Sequence, residues 1–338
     1  MNKTAIEWTD FSSNPLKFRD AKTNQIVWGC VKVSPGCAAC YSEALALRYK
    51  RGKLFNSANM RELKPFMCED ELREMRTKKK AGGVEVSGKR CFVGDMTDLF
   101  GEWVTDGMLD SLFRAMADRK DVTFQILTKR AERMQKYFAN RWGTFGGQYY
   151  PPPPNIHAGV SVEDQPRADK RIVELLQTPA AVRFLSCEPL LGPINLERLS
   201  DGKNGWTDCL GGVWGHGFSS DHEGDGTEDI PDGTTGDGII SWVIIGGESG
   251  PGARPCNIEW IRDIVRQCKA ASVPCFVKQL GSRPFVREEG YPHIAGDVRK
   301  PHLEGDGFGN YYVTLKDKKG GDMSEWPADL RIREFPRG

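Results

Sequence analysis

The sequence predicts an α/β fold: a complete or partial (β/α) barrel of about six to seven parallel strands. Three observations predict it. Short apolar runs alternate along the chain with amphipathic helix patterns. The runs are mostly continuous rather than alternating, as strands covered on both faces are. Polar or charged residues directly follow most of the runs, and in a barrel such strand ends converge on one mouth. A doubly wound open sheet shares the first two features and remains the alternative on pattern alone.

A weak run, Ile26–Trp28, comes first. Stronger ones follow at Cys91–Gly94, Val122–Leu127, Ile156–Val160, Val182–Ser186, Trp242–Ile245 and Pro274–Val277. Helix patterns occupy Gly107–Asp118, Arg130–Phe138, Gln165–Leu176 and Glu259–Ala271, and a helix-forming run follows Tyr41. The residues trailing the runs are Asp95, Thr128-Lys129-Arg130, Ser161 with Glu163, Cys187-Glu188-Pro189, the stretch Gly246 to Gly250, and Lys278-Gln279. Some of these would serve only as caps or turns.

Pro151 to Pro154 form a stiff extended spacer. Residues 201–239 are rich in Gly and Asp and read as a flexible insertion, either a lid or a decoration. Within it, His216 and His222 lie near Asp221, Asp225 and Asp229, in a spacing that matches no standard metal loop. Residues 283–338 read as a C-terminal extension packed on the barrel, with a strand and turn over 307–321. The expectation is one domain over 1–338.

The composition, 39% hydrophobic and 28% charged over 338 residues, excludes a mainly disordered chain. Lys and Arg number 47 against 46 Asp and Glu, so the net charge is +1. That is no overall electrostatic footprint for nucleic acid, though a local basic groove stays open. No run approaches the length of a membrane span and the N-terminus lacks an apolar signal core. A soluble, cytoplasmic protein with no membrane partner is expected.

The ten cysteines do not suggest a disulfide framework in a chain of this length with no export signal. Cys91 and Cys275 lie in strand-like runs and read as small buried hydrophobes. Only Cys30, Cys37 and Cys40 form a tight cluster, spaced Cys-x6-Cys-x2-Cys, with Pro35-Gly36 supplying a turn. Thiolates suit zinc, copper or iron–sulfur centres. A structural zinc normally takes four ligands, whereas a [4Fe–4S] cluster on three thiolates leaves one iron open to a substrate. Iron–sulfur, zinc with Cys68 or a histidine as fourth ligand, and no metal at all remain as readings.

Gly246 and Gly247 would let a ligand approach the backbone, and Glu248 could accept hydrogen bonds from an ammonium or a ribose. The stretch matches neither the P-loop nor the dinucleotide fingerprint; a tight turn is the plainer reading. With five histidines and no nucleophile arrangement, a histidine-based hydrolase is poorly supported. Arg48-Tyr49-Lys50-Arg51, Lys78-Lys79-Lys80 with Arg76, and Thr128-Lys129-Arg130 could meet phosphates, though such runs are more often solvated helix faces. Trp8 and Trp28 could stack on a base or simply pack. A nucleic-acid-binding module with a structural zinc is the competing function class.

Several blocks carry a family resemblance. They include Ile6–Asp10 with Asn14-Pro15, Gly29-Cys30, Gly36-Cys37, Cys40-Tyr41, Phe92–Phe100 and Phe124–Arg130. Gly159–Glu163, Ser186–Pro193, Gly246–Pro251, Lys278-Gln279 and Glu325–Pro327 extend the match almost end to end. In these the chain resembles the phage Gp37/Gp68 family, also described as DUF5131 and grouped with radical S-adenosylmethionine (radical-SAM) enzymes. The resemblance implies a radical-SAM barrel in which Cys30, Cys37 and Cys40 ligate a [4Fe–4S] cluster whose open iron binds S-adenosylmethionine. It implies reductive cleavage of that cofactor to a 5′-deoxyadenosyl radical, with an electron donor such as flavodoxin or ferredoxin.

Gly246-Gly247-Glu248 would contact the methionyl amine, with Asp95 and Glu188 as rival carboxylates. Lys129, Ser161 and Glu163 would contact ribose or carboxylate. DNA or RNA modification or repair, in a host cytoplasm, is the implied setting; a small metabolite or a partner protein is the alternative substrate. The common radical-SAM spacing is Cys-x3-Cys-x2-Cys, so this loop is three residues longer between its first two cysteines. The Gly-Gly-Glu stretch also comes later than is usual.

Overall fold

A computed structural model describes residues 1–200, 202, 205–216, 231–234, 239–287, 303–305, 307 and 309–336. The chain divides into two compact units: Met1–Val160 with Thr178–Val182, and Ser161–Gln177 with Arg183–Gly338.

The first unit is organised on parallel strands β1 (Phe11–Ser13), β2 (Arg90–Val93), β3 (Thr123–Thr128) and β4 (Ile156–Ser161, its last residue falling in the second unit). They pair in chain order, with Phe92 opposite both Ser12 and Gln125, and Gln125 opposite His157. Asn2–Lys3 adds an antiparallel edge to β1. Helices α1 (Tyr41–Arg48), α2 (Asp106–Ala117) and α3 (Ala131–Ala139) follow from their sequence patterns. Thr105 caps α2 by accepting from the Met108 amide at 3.3 Å, and the helix buries Leu109, Leu112, Phe113 and Met116. Phe113, Tyr137, Phe138 and Trp142 form a cluster with ring centroids 4.8–6.3 Å apart.

The expected weak strand at Ile26–Trp28 exists as Ile26–Val27, but it is not a parallel strand. It pairs antiparallel with Leu16–Asp20, which also pairs with Leu63–Met67. The first parallel strand is instead Phe11–Ser13, a segment too short and too rich in serine to declare itself.

The second unit carries β5 (Val182–Cys187, its first residue falling in the first unit), β6 (Trp242–Gly246) and β7 (Cys275–Gln279), parallel and again in chain order. Helix α4 (Gln165–Leu176) starts at Asp164, which accepts from the Arg167 amide. Helix α5 (Ile258–Ala270) starts at Asn257, which accepts from the Glu259 amide. Trp242 anchors this core against Phe184, Phe276 and Phe335. A doubly wound sheet reverses its strand order at a switch point; within neither unit does the order of these parallel strands reverse.

The described part of the insertion is not structureless. Gly205–Asp208, Val213–His216 and Pro231–Thr234 join Leu199–Ser200 in an antiparallel sheet. Asp221, His222, Asp225 and Asp229 lie outside the described residues. In the C-terminal extension, Pro284–Arg287 pairs with Cys256–Asn257 and with Asn310–Val313. The Val277 amide donates to the Ile332 carbonyl at 2.9 Å, and Trp326 is fully buried with its indole N–H on Gly320. Among the described residues no helix is long and apolar enough to cross a membrane.

Candidate cysteine-loop site

The loop Gly29–Cys40 runs into a 3₁₀ turn at Pro35–Cys37 and then into α1, for which Cys40 is the N-cap. Its three thiols are half-buried, whereas Cys91, Cys187, Cys209, Cys256, Cys268 and Cys275 are buried. That contrast separates accessible donors from small core residues.

The loop is fastened to the C-terminal ends of β2 and β3. The Thr97 hydroxyl donates to the Gly29 carbonyl at 2.5 Å. Tyr41 and Ser42 hydroxyls both donate to the Asp95 carbonyl at 2.7 Å. Arg130 donates to the Val31 carbonyl at 3.1 Å and also reaches the Cys30 sulfur. Asp98 organises this end of the unit. Its carboxylate accepts from the Thr128 hydroxyl at 2.7 Å, the Lys129 amide at 3.2 Å and the Arg130 guanidinium at 2.9 Å. Arg130 in turn lies over the Trp103 ring, 4.9 Å from its centroid.

Burial pushes the Cys30 thiol up to about 11. The Asp98 charge adds to this, Arg130 opposes it, and Cys40 is close enough to contribute. The Ser34 hydroxyl lies 3.8 Å from the Cys37 sulfur. The donor set fits a thiolate-bound centre in residue type: three half-buried cysteines on one loop, Cys30 and Cys40 close enough to interact, with a cation at the first. Among the described residues no group of three His, Cys, Asp or Glu side chains is gathered as a preformed cage.

The other expected residues fall in two places. Asp95 stands at the end of β2 in the first unit, one carboxylate oxygen 2.5 Å from the Asn14 amide nitrogen. Burial raises its pKa, the Asn14 bond opposes that, and the Glu71 charge adds to it. Lys129 is half-buried, and its ammonium makes no ion pair among the described residues. Asp98, Asn14 and Thr97 are the residues to which motif reading gives no role, although all lie in the matching blocks, and Arg130 reads only as part of a basic run. Nothing in the sequence pairs Asp98 with residues some thirty positions away.

The rest belong to the second unit. Ser161 is buried, and its carbonyl accepts from Arg171 at 2.7 Å. Glu163 is fully buried and ion-paired with Arg171 at 2.8 Å. Glu188, at the end of β5, accepts from Lys278 at 2.7 Å and Gln279 at 3.1 Å. Glu248 is clamped by the Arg254 amide and side chain at 2.6–2.9 Å. Burial raises its pKa, but the Arg254 hydrogen bonds outweigh this and leave it low.

Gly246 and Gly247 are occupied by protein at close range. A Cβ on Gly246 would lie 3.2 Å from the Glu188 carboxyl carbon, and one on Gly247 would lie 2.3 Å from the Leu280 carbonyl oxygen. These glycines admit a neighbouring chain segment to the backbone.

Of the basic runs, Lys78 pairs with Glu74, Lys80 with Glu85 and Arg76 with Asp118. Arg48, Tyr49, Lys50 and Arg51 are all exposed. Trp8 is buried 4.8 Å from Phe92, and Trp28 is half-buried beneath Arg51.

A family model described as a protein of unknown function (DUF5131) matches residues 3–298. Comparison with curated proteins and with solved structures gives no match.

Proposed function

The chain belongs to the DUF5131 family, and from that premise we propose a radical-SAM enzyme, of the phage Gp37/Gp68 kind, acting on nucleic acid or a nucleotide. The observation that carries the reading is the fastening of the three-cysteine loop to the C-terminal ends of two adjacent parallel strands. That end of a parallel sheet is where α/β proteins bind and transform ligands. The proposed frame is a complete or partial barrel.

Cys30, Cys37 and Cys40 would hold a [4Fe–4S] cluster. Once bound, it supplies the open iron and the single electron that cleavage of S-adenosylmethionine to a 5′-deoxyadenosyl radical requires. This chain's residues bind and orient. Thr97, Tyr41 and Ser42 fix both ends of the loop through backbone carbonyls. Arg130, itself held by Asp98, places positive charge at the first sulfur and offsets part of the burial and the Asp98 charge that disfavour its thiolate.

Asp95 and Lys129 lie beyond the same strand ends and would bind the amine and carboxylate of a cofactor. In the second unit, Ser161, Glu163, Glu188 and Gly246-Gly247-Glu248 are the cofactor contacts that the family resemblance implies. Among them Glu163 and Glu248 are held by arginines in the fold, so they are weaker candidates than Asp95 for an incoming ammonium. A small acidic electron carrier such as flavodoxin or ferredoxin would complete the reaction.

The test is metal and sulfide content on anaerobically purified protein, followed by assay for 5′-deoxyadenosine under reducing conditions. About four irons and four sulfides per chain are expected, as for any [4Fe–4S] centre. Cys37→Ala should abolish them, and Cys268→Ala, on the buried side of α5, should leave them intact. One zinc with no sulfide, equal iron loss in both variants, or an intact cluster that never cleaves the cofactor would each overturn the reading.

A further inference from the structure

Gln125, in the middle of β3, is fully buried, and neither its Oε1 nor its Nε2 has a hydrogen-bond partner among the described residues. Fully buried carboxamides almost always find partners, and one left wholly unpaired asks for an explanation. Its neighbour across β4 is His157, whose Nδ1 is likewise buried and unpaired. Its neighbour across β2 is Phe92, which packs on Trp8. Register places all three side chains on one face of the sheet, in a row at the strand spacing of about 4.8 Å. Phe124 and Ile126 point to the other face.

The row joins an aromatic wall to a carboxamide and an imidazole. A carboxamide presents a donor and an acceptor side by side, so its complement is a flat group that presents an acceptor beside a donor. Nucleobase edges do this, and glutamine reads adenine in that bidentate way. The imidazole adds a further donor or acceptor without charge. Burial, with the nearby Arg90 charge, lowers the His157 pKa to about 4, so it is neutral near pH 7. An uncharged donor–acceptor row suits a base better than it suits a phosphate or carboxylate.

We propose that Gln125 and His157 form a nucleobase-reading site on the β3–β4 face, with Gln125 pairing to the base edge and Phe92 bordering it. The proposal rests on the nucleotide-directed reading above only for its choice of ligand, and it names the part of the substrate that the fold would recognise.

The experiment uses the full chain without iron or S-adenosylmethionine, and adenosine, guanosine, cytidine and uridine as separate probes. Affinity is measured by equilibrium dialysis and thermal unfolding on the same samples. The wild-type protein is expected to bind one nucleoside at least tenfold better than the weakest. Gln125→Met, close in volume and without the amide, should lose at least tenfold for that nucleoside with no fall in Tm. His157→Leu is the second variant, should the first not fold, and should lose at least threefold.

A wild-type protein that binds none of the four overturns the proposal. So does a Gln125→Met protein that binds as wild type: a raised Tm in it would mean a buried amide that costs stability and reads nothing. Cluster content is read separately. A chain that assembles no cluster when purified anaerobically but still reads a base through Gln125 defeats only the radical reading, and a chain that assembles the cluster but ignores all four bases defeats only this one.

Discussion

His157 enters the fold without its charge, and this makes stability depend on pH. Burial, reinforced by Arg90, lowers its pKa from 6.5 to about 4. Between those values the unfolded chain binds a proton that the folded chain does not. Stability from this group is therefore fully present above pH 6.5 and is lost as pH falls towards 4. The shift corresponds to at most about 3 kcal/mol. Urea unfolding at pH 7 and pH 4.5 should show the loss, and His157→Phe should reduce it by most of that amount. An equal pH dependence in the variant would mean that the histidine titrates normally in the fold.

At this scale the sequence was informative about chemistry and silent about contacts. Three clustered thiols announce a soft-metal donor set whatever surrounds them. Asp98 does not announce itself, because its role consists of partners on the next strand end. Glu163 shows the same limit: the sequence places a carboxylate after a strand but not Arg171 beside it.

The strand ends explain why certain elements tolerate little change. Asp98 holds the entry to α3 through Thr128, Lys129 and Arg130, and through Arg130 it also holds the cysteine loop. Asp98→Asn keeps the shape and removes the charge that balances Arg130. A half-buried pair broken on one side should cost about 2 kcal/mol, below the range for fully buried pairs. A Tm shift under a degree would mean that the pair is only decorative. At the end of β6, Gly247→Ala drives a methyl to 2.3 Å from the Leu280 carbonyl oxygen. Overpacking against backbone should cost about 1–3 kcal/mol, read as a lower urea midpoint with an unchanged slope. Neutral behaviour would show that β6 and the segment after β7 can part at no cost.

Elements were legible where burial imposes a period. Gln165–Leu176 was delimited to the residue, because Asp164 and Pro166 mark its start and the apolar stripe continues to Leu175. The stronger strands were placed within a residue or two for the same reason. Phe11–Ser13 was invisible, since three residues with two serines show no pattern. The described strands of the 201–239 insertion were also missed, because glycine-rich antiparallel segments hold together through pairing partners that composition does not reveal.

For the whole molecule, the near balance of charge sets how any nucleic acid can bind. A net charge of +1 gives no general attraction, so affinity must come from local cations. Exposed, closely spaced candidates are Arg48, Lys50 and Arg51 around the exposed Tyr49, at the C-terminal end of α1, the helix that leaves the cysteine loop. Single strands that neutralise Z phosphates lose affinity with salt at a slope of about −0.7Z, so three contacts give roughly −2. Replacing all three cations with alanine should flatten the salt dependence of single-stranded DNA binding by about that amount. The iron content should not change, because none of the three fastens the loop through its side chain. Binding with an unaltered slope would place the phosphate path elsewhere on the chain. No binding by the wild-type protein at low salt, together with an intact cluster, would move the substrate from polymer to free nucleotide or small metabolite. The cysteine loop and the base-reading row are compatible with that outcome, since neither requires a phosphate backbone.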